Sequence, residues 1–135
     1  MSPALASAFN ALDLDAMAAL YSEDSVLIDE TGAQHRGVEA IKAALKDMLE
    51  AGGAMTSTPR LAVIVGDIAL SGADWRLEPR DGGEPLEGRS LEVLRRQPDG
   101  SWCYLIDCST GDMLVADRQK QPTEIEIFGV SNNAD

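Results

Sequence analysis

The chain has 135 residues, 44% of them hydrophobic, and a formal net charge of −12 at pH 7, with a sequence pI near 4.3. That length suits one domain with room for a real core. The acidity argues against nucleic acid or an anionic membrane as partner, because both need a basic face.

The chain opens on MSPALASAF, which lacks the basic region of a signal peptide, and no later apolar run is long enough for a membrane span. Ser2 followed by Pro3 reads as an N-cap and a first helical residue. Leu5, Ala8, Phe9 and Leu12 keep the spacing of one helical face. Asp13 or Asp15 can cap a second helix carrying Leu14, Met17, Leu20 and Tyr21. Ser25 to Asp29 reads as a short buried strand, turned at Thr31-Gly32 and answered by Gln34-His35-Arg36. A third helix runs from Val38 to about Ala51, with Ile41, Leu45, Met48 and Leu49 on one face, and stops at Gly52-Gly53.

After Pro59 the pattern changes to period two. Arg60 to Val65, Ile68 to Glu78, Leu86 to Arg96 and Trp102 to Ser109 are strand candidates. The short turns between them predict an antiparallel meander. Helices first and strands afterwards make the fold class α+β. Residues 1–111 form the domain. Residues 112–135 are an extension in which 123–130, TEIEIFGV, alternates enough for one more strand. Cys103 and Cys108 lie on one predicted strand without facing each other, which reads as two free thiols in a reducing, cytoplasmic setting. With a single histidine in the chain, no zinc-like spacing exists, and no metal or other cofactor is expected.

The stretches FNALDLDAMAALYSEDSVLID and HRGVEAIKAALKDML, followed by GDIALSGADWRL and EVLRRQPDGSWCYLID, resemble the SnoaL-like branch of the nuclear transport factor 2-like superfamily. Ketosteroid isomerases, polyketide cyclases and limonene epoxide hydrolases belong to that superfamily. The resemblance implies a cone with cystatin-like topology: a strongly curved antiparallel sheet around three helices, with an apolar pocket at the wide end. It also implies a homodimer through the outer face of the sheet.

Three acids are the candidate catalytic residues. Asp29 stands where the isomerases carry a proton-shuttling aspartate, and a dry pocket wall would raise its pKa; the alternative is a cap on the Thr31-Gly32 turn. Asp107 lies on the strand where cyclases and epoxide hydrolases keep theirs. Simple alternation places it with Cys103, Leu105 and Ser109 on one face. Glu92 matches the isomerases' second acid, against the alternative of an exposed strand position. Tyr21, His35, Trp75, Leu94, Trp102 and Leu105 are the expected substrate-binding residues. Two departures narrow the chemistry. The isomerase tyrosine has no counterpart near Leu5, and the epoxide hydrolase arginine–aspartate order is reversed in Ala73-Asp74-Trp75-Arg76. The reading is therefore a cofactor-independent pocket enzyme that works by acid–base chemistry on a small, mostly apolar carbonyl compound. The alternatives are a non-catalytic binder of a small apolar ligand, and a dimerisation module whose pocket is filled by its own side chains.

Overall fold

The computed structural model describes residues 2–111; the possible strand at 123–130 lies outside them. The elements in chain order are α1 (Pro3–Asn10), α2 (Leu14–Ala18), β1 (Tyr21–Ile28), β2 (Gln34–Arg36), α3 (Val38–Ala51), β3 (Ala54–Val65), β4 (Ile68–Glu78), β5 (Leu86–Arg96) and β6 (Trp102–Cys108). The fold is α+β, a curved sheet of six strands in the order β2-β1-β6-β5-β4-β3 with the helices packed on its inner face. Strands β3 to β6 form the expected meander. The sheet is not wholly antiparallel, because β1 joins β6 in parallel.

The helices start where their caps dictate. The Ser2 hydroxyl accepts from the amide of Leu5, with Pro3 at the first helical position, and the Asp13 carboxylate accepts from the amide of Ala16. Leu5, Phe9, Met17, Ile41 and Leu45 form the helical half of the core. Leu12 departs from the expected face: α1 has already ended, and the residue turns out with φ 57° and 62% exposure. The glycine after α3 is needed for space, since a Cβ on Gly53 would lie 2.3 Å from the carbonyl oxygen of Glu78.

Two boundaries and one register differ from the sequence reading. Tyr21 is not helical; it begins β1 opposite Tyr104, because backbone pairing with β6 outweighs a local sequence that suits either state. Strand β3 runs through Pro59 because it is the edge strand, where a missing N–H leaves no ladder bond unmade. In β6, Leu94 pairs with Tyr104 and Val93 with Ile106, so Leu105 is an extra, bulged residue.

Candidate active site

The bulge at Leu105 decides what faces the helices. Cross-strand partners share a face, and Asp107 is opposite Glu92 while Tyr104 is opposite Leu94. Tyr104, not Cys103 or Leu105, therefore shares the inner face with Asp107, which corrects the alternation read from the sequence. Cys103 and Cys108 pair with Arg95 and Leu91 on the outer face, and both are free thiols. The inner row continues across the sheet in both directions. Leu27 pairs with Asp107 on one side and with His35 on the other, and Glu92 pairs with Ser71.

Asp107 is 2% exposed and Glu92 is 1% exposed. Neither is an ordinary surface acid, and for Glu92 this overturns the exposed-strand alternative. Glu92 accepts from the Ser90 hydroxyl at 2.6 Å and from the Ser71 hydroxyl at 3.0 Å. The Oδ2 of Asp107 accepts from the Tyr21 hydroxyl at 2.6 Å. Its Oδ1 is buried, with no hydrogen-bond partner among the described residues. Burial pushes the Asp107 carboxyl up to about 6, with the Tyr21 hydrogen bond opposing the rise and the charge of Glu92 adding to it. Burial and the neighbouring Asp107 charge in turn push the Tyr21 hydroxyl well above the usual phenol range, so it stays a donor. The rings of Tyr21 and Tyr104 lie 5.0 Å apart, and the hydroxyl of Tyr104 bonds to the hydroxyl of Ser2. The first helix is thereby tied to the sheet beside the acid. From sequence, either tyrosine hydroxyl could be a donor if it faced inward; that Tyr104, next to the bulge, does so is visible only once the strands are paired.

Asp29 sits differently. Its Oδ1 accepts from the Thr31 amide at 2.9 Å, the Thr31 hydroxyl at 2.7 Å and the Ala33 amide at 3.1 Å. Its Oδ2 lies 2.8 Å from His35 Nε2. Partial burial would raise its pKa, but the hydrogen bonds from Thr31, His35 and Ala33 prevail and hold the carboxyl below the usual range. The expected raised pKa is corrected: Asp29 is the cap of its turn and the partner of His35.

The remaining expected residues spread around this row. Trp75 and Leu94 pack against the core. Trp75 donates from its indole N–H to the Ser109 carbonyl at 2.6 Å, and its ring occupies the place where a Cβ on Gly88 would come within 2.5 Å of it. Trp102 lies at the start of β6 with the Arg96 guanidinium 4.9 Å above its ring. A cavity of about 440 Å³ is lined by Thr56, Thr58, Asp74, Trp75, Arg76, Glu87, Gly88 and Arg89. Charged side chains line it in the Arg76–Glu87 and Arg89–Asp74 pairs, and it includes none of the three candidate acids. Among the described residues no three or more histidine, cysteine or acidic side chains gather to hold a metal ion, and no helix is long and apolar enough to cross a membrane.

Comparison with known proteins adds the following. The profile of the SnoaL-like domain matches residues 4–105. No curated protein matches the chain. Among solved structures, an NTF-2-like protein of unknown function from Shewanella oneidensis is 23% identical, with 79% of this chain and 90% of that chain covered and a TM-score of 0.68. A ketosteroid isomerase-like protein from Erwinia carotovora atroseptica is also 23% identical, covering 79% and 87%, at a TM-score of 0.69. A domain of unknown function with a cystatin-like fold from Nostoc punctiforme is 19% identical, covering 87% and 75%, at 0.71. Likeness at these identities carries the fold and no more.

Proposed function

Because the chain belongs to the SnoaL-like domain family, whose activities differ on one fold, we propose from its own inner row that it is an acid–base enzyme acting on a small, mostly apolar carbonyl compound. Asp107 is the general base. The observation that carries this reading is its buried carboxylate, with one oxygen held by Tyr21 and the other without a partner among the described residues. A base whose pKa lies near 6 is charged at neutral pH and still basic enough to take a carbon-bound proton. Tyr21 fixes the carboxylate, and Glu92, held by Ser71 and Ser90, sets the charge beside it.

The test is hydrogen–deuterium exchange at the α-carbon of a panel of cyclic and aryl ketones in D₂O, followed by NMR. Asp107→Asn should slow exchange by roughly 100-fold or more. In the wild type the rate should fall as pH drops through about 6, where the carboxylate is lost. Exchange no faster than in buffer, or an Asp107→Asn protein as fast as wild type, would sink the reading.

Two copies would pair through the outer face of the sheet. Val63, Leu70, Val93 and Ile106 form one continuous outer row by register, and Val63, Leu70 and Ile106 are exposed although apolar. Native mass spectrometry should find a dimer that Leu70→Lys converts to monomer; a wild-type monomer would exclude the pairing.

A further inference from the structure

We propose that residues 123–130, TEIEIFGV, add a seventh strand to the sheet by pairing with the open edge of β3 in their own chain. The pairing is independent of the chemistry at Asp107. Among the described residues the sheet ends at β2 on one side and β3 on the other, and the two edges are protected unequally. β2 is three residues long and carries His35 and Arg36, short and polar as exposed edges usually are. β3 is twelve residues long, and its one charged residue, Arg60, is turned across the sheet to donate to the Ser90 carbonyl at 3.1 Å. The first half of β3 is closed to further pairing. The Asn10 side chain accepts from the Met55 amide and donates to the Met55 carbonyl, each at 2.7 Å, and Pro59 has no N–H to offer. Residues 61–65, LAVIV, have no such device among the described residues.

Backbone geometry fixes what the open half offers. Val65 and Ile68 pair across the two-residue turn Gly66-Asp67, so they are the hydrogen-bonded pair that closes the hairpin. Pairs alternate from there. Val63 bonds to Leu70, while Ala62 and Ile64 turn N–H and C=O away from β4 and toward the edge. Ile64 is 60% exposed and Val65 75% exposed, and they lie on opposite faces of the sheet. Pairing of two copies through the outer face therefore leaves Ile64 uncovered. The segment 123–130 fits such an edge, because Ile125 and Ile127 share one face and Phe128 takes the other. Apolar side chains thus reach both faces. The connection is long enough. A Cβ on Gly111, the last described residue, would lie 2.8 Å from the Arg89 carbonyl oxygen on β5, level with Thr58 of β3 through Asp74. From there to a strand beside Ile64 is three strand spacings across and about six residues along, a diagonal of roughly 25 Å. The eleven residues 112–122 span up to roughly 36 Å when extended.

Amide hydrogen exchange followed by NMR on the full-length chain tests this. In the wild type the amides of Ala62 and Ile64 should be protected, and NOEs should join residues 62–64 to residues 123–130. Glu126→Pro combined with Ile127→Pro removes the N–H at both strand parities and leaves residues 2–111 unaltered. It should speed exchange at Ala62 and Ile64 by roughly tenfold or more, while Val63, bonded to β4, changes little. Ile127→Ala alone keeps every backbone donor and should give a smaller rise. Unprotected amides at Ala62 and Ile64 in the wild type, or rates indifferent to the double proline variant, would overturn the proposal. Protection that disappears on dilution would put the strand on a second copy and overturn pairing within the chain.

Discussion

Asp29 follows β1 and Asp107 lies in β6, strands that are neighbours in the sheet. Their physical states are opposite. Asp29 is surrounded by donors, three of them on one oxygen, and its proton is lost more easily than usual. Asp107 is buried with one donor for two oxygens among the described residues, and its proton is held more tightly than usual. Burial is the largest cause of the upward shift at Asp107, whereas at half-buried Asp29 the set of donors outweighs burial. Asp29 holds the half-buried His35 ring, and Asp107 keeps one oxygen with no hydrogen-bond partner among the described residues.

Removing the single donor at Asp107 should have the largest effect. Tyr21→Phe leaves a buried carboxylate with no side-chain partner and should cost about 2–3 kcal/mol of stability in urea unfolding. It should also move the acid limb of the exchange profile upward, since the Tyr21 bond lowers the Asp107 pKa. Asp107→Asn should act in the other direction. A carboxyl raised from 3.8 to about 6 in the folded state stabilises most below its unfolded pKa and loses that contribution as pH rises through about 6. The neutral variant should therefore match the wild type near pH 3.5 and exceed it by up to about 2 kcal/mol at pH 7.5. Equal stabilities across that range would mean that Asp107 is not desolvated. The smallest effect should come from Asp29→Ala, about 1 kcal/mol lost at neutral pH as the turn loses its cap. A lowered pKa stabilises above the unfolded value, so that difference should fade as pH drops below about 4. If Asp29→Ala proved as costly as Tyr21→Phe, the division between the two acids would fail.

Much of the frame was legible because it is local chemistry. Ser2-Pro3 and Asp13 are caps that act on amides three residues away, and the face of α3 follows from its own spacing. The three acids were legible as candidates, with Asp107 notable for its apolar neighbours. Their roles were not. For Glu92 the sequence left a catalytic acid and an exposed strand position both open, because the serines that hold it come from β4 and from its own strand, a fact of register. For Asp29 the sequence left pocket wall and cap of the Thr31-Gly32 turn both open, and only the fold brings Ala33 and His35 onto it as well.

The sequence by itself determined the class of fold, helices followed by a meander, because hydrophobic period and turn residues act over a few positions. It also determined the helix caps and the pool of acids from which a site could be drawn. Only the tertiary structure decided that Tyr21 is a strand residue, that Leu105 bulges, and that His35, Leu27, Asp107 and Glu92 form one row. A side chain in a sheet points up or down by register, and one extra residue reverses every later position on its strand. Register is set by partners distant in the chain, so no local pattern around Asp107 could assign the residues that share its face.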